Sequence, residues 1–212
     1  MRAVVALSAF FFLQSVAAAA TYAATPSNYH LLVSKLRPGD TLVLEPGRYG
    51  RGLSLHNLNG TAENTIVIKG SRREPAILVA RRNANTISIV NSSYVEVRDL
   101  VLDGNGQFVD AVKAEGNSSW AHHITLEGLT IYRYGAHQQN VGISTKCPAW
   151  NWVIRNNVIT SAGTGMYLGD SDGSAPFVAG IIEHNLIVDS IGYNLLIKHQ
   201  CKRPGIRGMP ED

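Results

Sequence analysis

The chain repeats a short unit at a nearly constant interval in its second half. Each unit contains two short runs of β-branched and aliphatic residues with one turn position between them. The four aligned segments are YVEVRDLVLDG from Tyr94, HITLEGLTIYR from His123, WVIRNNVITSA from Trp152 and GIIEHNLIVDS from Gly180. Their starts are 29, 29 and 28 residues apart. Self-similarity at such a period indicates a solenoid in which successive units stack on one another.

The turn position within the unit takes only residue types that tolerate a left-handed backbone. The aligned residues are Asp99, Gly128, Asn157 and Asn185. A third short run follows in each unit, as AVKAEG, VGISTK, GMYLGD and NLLIKH. Three strands and one fixed turn in about 28 residues predict an all-β chain, a parallel β-helix with one rung per unit.

The upstream sequence continues the same rhythm in DTLVLEPGRY, GLSLHNLNG, NTIVIKG, PAILVA and NTISIVNSS. Leucine-rich repeats are disfavoured because they need a helical half, and no segment keeps a 3.6-residue apolar period. A β-sandwich is disfavoured because antiparallel hairpins would bring Asn-Gly turns instead of a repeated three-strand unit. We predict a cap at residues 24–37, where SNYHLLVSKLR suits a short amphipathic helix, followed by rungs over residues 38–200.

The first 23 residues have the pattern of an export signal. Arg2 precedes the apolar run AVVALSAFFFLQSVAAAA, and cleavage after Ala18, Ala20 or Ala23 would leave small residues on both sides of the cut. A membrane anchor is the alternative, but about 18 apolar residues barely reach spanning length. No charged flank follows the run. We expect a removed signal peptide at residues 1–23 and a secreted or periplasmic chain without a membrane span.

Composition describes an ordinary globular chain and restricts its partners only weakly. Hydrophobic residues make up 45% of the sequence, which is enough for one core, and the formal net charge is +3. Such a charge permits an acidic partner. No nucleic-acid partner is expected, because the sequence has neither a lysine-rich run nor an aromatic RNA-binding motif.

Most of the chain after the predicted signal peptide resembles a known family. The stretches LRPGDTLVLEPGRYGRGLSL, TIVIKG and YVEVRDLVLDG are similar to the opening of secreted proteins of the pectate-lyase-like superfamily, nearest to its chondroitinase B and alginate lyase-like group. The resemblance implies a single-stranded, right-handed parallel β-helix. It also implies that an extended polysaccharide binds along the outer face of one sheet, in a groove walled by longer loops.

Strand alternation within the third run identifies candidate site residues. The residues expected to point inward are Val112, Ile143, Met166, Leu195 and Ile197. The residues expected to point outward, in one column across successive rungs, are Lys113, Lys146, Tyr167, Leu196 and Lys198. Lys146 and Lys198 would lie two rungs, or about 10 Å, apart. The predicted substrate-binding residues are Lys146, Tyr167, Asp170, Asp172, His199 and Trp150.

The chemistry of such a cluster suits cleavage of a uronate polymer. An elimination needs a cation for the carboxylate and a base for the adjacent proton, and a lysine serves as base when burial or neighbouring cations lower its pKa. The resemblance implies that Lys198, which ends NLLIK, is the catalytic lysine and that Arg203 is the second catalytic cation. The group's calcium-binding glutamates have no counterpart in SIGYN, so we expect no metal and no other cofactor.

Two functions remain open from the sequence. The first is a lyase-like enzyme that acts on an acidic polysaccharide. The second is a non-catalytic β-helix that binds a glycan or serves as a surface module, with Lys146 and Lys198 as solvated lysines and GDSDG as an ordinary loop. We also expect residues 201–212 to form the open loop of a C-terminally truncated helix, which would favour end-to-end self-association.

Overall fold

The computed structural model describes residues 18–116, 119–198, 200–201 and 205–210. Most of the predicted export signal, together with His199 and Arg203, lies outside these residues. Within them the chain forms one short helix, α1 (Tyr29–Val33), and a long series of short strands. The helix lies in the predicted N-terminal cap. No helix in these ranges is both long and apolar enough to cross a bilayer.

The strands are three to seven residues long, apart from two short pairs of residues. In the first half they are β1 (Thr21–Ala24), β2 (Thr41–Leu44), β3 (Gly47–Tyr49), β4 (Leu53–His56), β5 (Ile66–Lys69), β6 (Ala76–Val79), β7 (Ile87–Val90), β8 (Ser92–Arg98), β9 (Val101–Asp103) and β10 (Val112–Ala114). In the second half they are β11 (Ala121–Glu127), β12 (Thr130–Tyr134), β13 (Val141–Thr145), β14 (Ala149–Trp150), β15 (Val153–Arg155), β16 (Val158–Ala162), β17 (Thr164–Leu168), β18 (Phe177–Val178), β19 (Ile181–Glu183), β20 (Leu186–Val188) and β21 (Leu195–Ile197).

These strands form three parallel sheets that run the length of the molecule. The first sheet has the order β1-β2-β5-β8-β11-β14-β18, with β15 and β19 continuing beside β11. The second has the order β3-β6-β9-β12-β16-β20, and the third has the order β4-β7-β10-β13-β17-β21. Each rung therefore contributes one strand in turn to the first, second and third sheets. The predicted all-β, parallel β-helix is confirmed.

The core consists of apolar side chains stacked in register between rungs. In the third sheet Ile87 pairs with Val112, Val112 with Ile143, and Ile143 with Met166. All four side chains are fully buried, which confirms the inward positions predicted for the last three. Alternation accounts for the pattern, because every second residue of a strand points to the same face.

The apolar residues of the last described rung are only half covered. Leu195 and Ile197 pair with Met166 and Leu168, as expected for inward positions, but they remain 43% and 49% exposed. The reason is that β21 has a neighbouring strand on one side only. Other partly exposed apolar residues on this rung are Ile181, Leu186 and Val188. The expectation of end-to-end association rests on this apolar edge.

The structure corrects the predicted alignment of the turns. The residues with positive φ between the first and second sheets are Asp99, Gly128, Asn156 and His184, so the assignment of Asn157 and Asn185 to this position is wrong by one residue. A second left-handed position explains the shift. It falls at Tyr94, His123, Asn151 and Ala179, with spacings of 29, 28 and 28 residues. The third and fourth repeats therefore each start one residue earlier than the sequence alignment placed them.

Asn157 and Asn185 instead form a ladder of side-chain hydrogen bonds inside the turn. The buried Asn157 accepts from the backbone N–H of Leu129 at 2.9 Å and donates to the carbonyl of Leu126 at 3.0 Å. Asn185 accepts from the Asn157 side chain at 2.9 Å and donates to the carbonyl of Ile154 at 2.8 Å. Buried backbone groups at the turn thus find partners in the next rung.

We expect Asn157→Ala to lower the free energy of unfolding by about 2–4 kcal/mol, because it leaves a buried N–H and a buried carbonyl without their partner. Asn185→Ala is the matched variant and should cost less, since Asn185 is only half-buried. Denaturant unfolding followed by circular dichroism measures both. An Asn157→Ala protein as stable as Asn185→Ala would contradict the ladder's role.

The first strand overlaps the predicted signal peptide. β1 pairs in parallel with β2, and Ala24 is fully buried. Tyr49 Oη donates to the Ala24 carbonyl at 2.9 Å, and Asp40 Oδ1 accepts from the Ala20 N–H at 2.8 Å. Of the three predicted cleavage positions, only the one after Ala18 leaves all these contacts intact.

If the chain is exported, we expect the mature protein to begin at Ala19. A chain that begins at Ala24 should be less stable than one that begins at Ala19 by more than about 2 kcal/mol, because β1 and its hydrogen bonds to β2 are lost. Intact mass of the exported protein gives the cleavage position, and thermal unfolding of the two chains gives the difference. An exported protein beginning at Ala24 with undiminished stability would contradict this.

Candidate functional site

A cleft runs along the outer face of the third sheet, between two sets of loops. Three loops lead into β10, β13 and β21, at residues 104–111, 135–140 and 189–194 respectively. Two loops on the other side lead out of β13 and β17, at residues 146–148 and 169–176. The cleft has a volume of about 490 Å³. Its lining includes Lys113, Lys146 and Tyr167, three of the residues that the sequence predicted to point outward.

The predicted single column of outward residues proves to be two columns. Lys113 pairs with Ser144, Ser144 with Tyr167, and Tyr167 with Leu196. Lys146 comes after the end of β13, where its N–H donates to Ala114, and Lys198 comes after the end of β21, where its N–H donates to Leu168. Lys146 therefore lies two residues beyond Ser144 and belongs, with Lys198, to a second column.

Tyr167 brings the two columns together. The Nζ atom of Lys146 lies 3.6 Å from the centroid of the Tyr167 ring, and that of Lys198 lies 6.0 Å from the same centroid. An ammonium group over an aromatic face is attracted by the ring's negative quadrupole. The Tyr167 hydroxyl forms a 2.9 Å hydrogen bond with Ser171 Oγ. Two lysines from different rungs thus share one tyrosine at the cleft.

Opposing interactions act on the charge of Lys146. Burial lowers the pKa of Lys146, and the positive charge of Lys113 acts in the same direction. Tyr167 and Asp170 raise it, Asp170 from an ion pair in which Nζ and Oδ1 are 3.6 Å apart. The net effect is that the pKa of Lys146 lies below the usual value for lysine. Burial is the largest of these effects.

The two predicted aspartates have different surroundings. Asp170 lies beside Lys146, as described above, and belongs to the cleft's charged cluster. Asp172 accepts hydrogen bonds from the backbone and side chain of Ser174 at 2.9 and 2.6 Å, within its own loop. Asp170 is therefore brought to the lysines, and these bonds of Asp172 shape the loop that carries Asp170.

Trp150 lies elsewhere, on the first sheet. It is only 1% exposed and packs with Val178, Ile206 and Met209. Its ring stacks on His122 at 4.4 Å. The substrate-binding role predicted for Trp150 does not fit this structure, because Ile206 and Met209 help to cover the ring.

Sequence reasoning missed the aromatic rings that do line the cleft. Phe108 and Tyr193 are 63% and 55% exposed and lie in the loops that lead into β10 and β21. Asp110, which is buried, also lines the cleft and forms an ion pair with Lys113 at 3.4 Å. A usable signal was present, because both aromatic residues lie within a few residues of the start of a third-sheet strand.

The residues present do not fit the calcium ion that the resemblance suggests. Residues 190–194, SIGYN, contain no carboxylate, and the described part of the chain contains no cluster of three or more histidine, cysteine, aspartate or glutamate side chains suited to a metal. Calcium takes six to eight oxygen ligands, several of them carboxylates.

Comparison with known proteins finds relatives by structure only. No family model matches the chain, and no curated protein does. An alginate lyase from Paenibacillus sp. strain FPU-7 is similar in structure, with a TM-score of 0.61 and 21% identity over 77% of this chain. A mannuronic acid specific polysaccharide family 6 lyase from human gut microbiota has a TM-score of 0.56 and 16% identity over 78%. The family 6 alginate lyase AlyGC has a TM-score of 0.55 and 15% identity over 78%.

These similarities establish the fold. The chain has the parallel β-helix fold that the sequence resemblance implied. It spans 58% of the Paenibacillus enzyme, 48% of the gut enzyme and 28% of AlyGC.

We expect Asp170→Asn to move the titration midpoint of Lys146 to a still lower pH, because the Asp170 carboxylate raises the pKa of this lysine. Magnetic resonance of isotope-labelled lysine side chains measures the midpoint, and loss of the signal in Lys146→Met identifies it. In the wild type, stability should rise with pH between the folded and unfolded pKa values of Lys146, since the unfolded chain holds that proton more tightly. A midpoint that rises in Asp170→Asn would contradict this assignment.

Proposed function

We propose that this protein is exported and cleaves an acidic polysaccharide by β-elimination in the cleft of the third sheet. The observation that supports this most is the cluster of Lys146, Lys198 and Tyr167, in which two ammonium groups approach one aromatic ring at the edge of the cleft. The fold shared with three polysaccharide lyases adds support.

The reaction requires three roles at one uronate residue. A base removes the proton on the carbon beside the carboxylate, and the electron pair forms a carbon–carbon double bond. The bond to the glycosidic oxygen then breaks, and an acid protonates that oxygen as it leaves. A cation at the carboxylate stabilises the negative charge that develops there in the transition state.

The side chains of the cluster have the chemistry for these roles. Lys146, held between Asp170 and the face of Tyr167, supplies the ammonium for the carboxylate. Lys198, two rungs further along the same column, acts as the base. The Tyr167 hydroxyl, a donor within the same cluster, protonates the leaving oxygen. Arg203 and His199 keep the roles predicted from the sequence, as a second cation and as a substrate contact.

The substrate we propose is a uronate polymer of the alginate type. The structural neighbours are named for alginate, an acidic glycan, or for mannuronic acid, a uronic acid. Lys113 and Lys146 come from adjacent rungs and Lys198 comes from two rungs beyond Lys146, and parallel strands lie about 4.8 Å apart. This spacing lets an extended anionic chain meet one cationic group after another.

The test is to incubate the purified protein with polymannuronate, chondroitin and pectate and record the ultraviolet absorbance of the unsaturated uronate that only elimination creates. Lys198→Ala and Lys198→Arg should each lower the rate by at least about 100-fold, because arginine keeps the charge but cannot serve as a base. Lys146→Ala should raise KM more than it lowers kcat.

Lys69→Ala is the matched control, since Lys69 ends β5 on the first sheet, away from the cleft. Its activity should equal that of the wild type. Absence of unsaturated product from every polymer would overturn the cleavage proposal. Binding without product would instead support the second candidate, a non-catalytic glycan-binding β-helix.

A further inference from the structure

One buried side chain in the cleft has an unused hydrogen-bond acceptor. Asn140 is 3% exposed, and among the described residues its buried Oδ1 has no hydrogen-bond donor. Asn85, the other asparagine lining the same cleft, is satisfied: its Oδ1 accepts from the N–H of Asp110 at 3.0 Å, and its Nδ2 donates to Glu115 at 2.8 Å. An acceptor buried without a donor costs free energy, so Asn140 needs an explanation.

The backbone around Asn140 is held firmly in place. Its N–H donates to the carbonyl of His137 at 3.0 Å, and its own carbonyl accepts from the N–H of Thr164 at 2.9 Å. The loop also lies directly against Gly163, where an added Cβ atom would come within 2.6 Å of the Asn140 carbonyl oxygen. The backbone that carries the orphan acceptor is therefore held in place and does not belong to a loose loop.

The surroundings of Asn140 are those of a sugar subsite. Phe108 and Tyr193 line the same cleft with rings that are 63% and 55% exposed. The Phe108 ring packs 5.3 Å from that of His137, in the loop that carries Asn140. Ligand sites commonly combine apolar or aromatic walls with a few placed polar groups that fix orientation. Ring faces suit the C–H faces of a pyranose, and a buried acceptor suits its hydroxyl.

We propose that Asn140, Phe108 and Tyr193 form a sugar subsite that recognises a free hydroxyl group of the polysaccharide. The proposal rests on the function proposed above, because that function supplies an acidic glycan in the cleft. Hydroxyl groups are the donors such a glycan carries, and Oδ1 can only accept. A sugar whose hydroxyl is esterified has no proton to donate, so the subsite selects against O-acetylated residues.

The test measures binding of unmodified and chemically O-acetylated polymannuronate by affinity electrophoresis. All proteins carry Lys198→Ala, so that cleavage does not alter the polymer. The parent, which carries Lys198→Ala alone, should bind the acetylated polymer at least about tenfold more weakly than the unmodified polymer. Asn140→Leu, which keeps the bulk but not the acceptor, should bind the unmodified polymer about fivefold to tenfold more weakly. Asn140→Leu should also lose most of the preference for the unmodified polymer over the acetylated polymer.

Asn140→Ala is the second variant, in case leucine does not fit, and thermal unfolding shows that each variant folds. Gln107→Ala is the matched control: it removes an amide from the neighbouring loop, and Gln107 is outside the cleft's lining. It should retain both the affinity and the preference. A folded Asn140 variant with unchanged affinity, or with the full preference for the unmodified polymer, would overturn the subsite.

The outcome also separates this proposal from the cleavage proposal. A preference that depends on Asn140, in a protein whose wild type makes no unsaturated product, supports the subsite and overturns the elimination. If the wild type makes unsaturated product but neither affinity nor preference depends on Asn140, the elimination is supported and the subsite is overturned. Failure of the parent to bind either polymer overturns both.

Discussion

The stacking of one rung on the next is the constraint on which the rest of this structure depends. Every described strand pairs in parallel with the strand about one repeat away, so its backbone groups are satisfied by neighbouring rungs. Side chains of the same register then lie about 4.8 Å apart and form columns. The columns that face inward make the core, as Ile87, Val112, Ile143 and Met166 do. Those that face outward place residues about 30 positions apart in sequence side by side at the cleft.

How far the fold could be predicted from sequence follows from this constraint. Alternation and a constant period were sufficient for the three sheets and for the inward positions of Val112 and Ile143. They were not sufficient for the turns, because asparagine suits both a left-handed backbone and a buried side-chain ladder. Asn156 takes the first role and Asn157 the second. The roles of these two adjacent asparagines are distinguished only by the register between rungs. That register depends on the whole stack.

The site was harder to predict than the fold, because it depends on how far long side chains extend and on which surfaces other segments cover. The sequence placed Lys146 and Tyr167 in one column, whereas the structure brings them together from neighbouring columns through a long side chain. Trp150 was misassigned because an aromatic ring suits a sugar or a core equally well, and residues 205–210 decide for the core. Asn140 gave no sequence signal at all, since a missing donor is visible only once burial and hydrogen bonds are known.

The cleft differs from the turns in how far its polar groups are satisfied. In the turns, buried amides such as Asn157 have partners for both their donor and their acceptor. In the cleft, an asparagine acceptor is left unpaired, a lysine is half-buried with a lowered pKa, and two lysines share one tyrosine. An unpaired buried acceptor and a half-buried charge each cost stability in the free protein, and the anionic, hydroxyl-bearing ligand proposed above relieves both. A solenoid tolerates such costs because every rung is supported independently by its neighbours, so that one face can be suited to binding while the core and the turns maintain the fold.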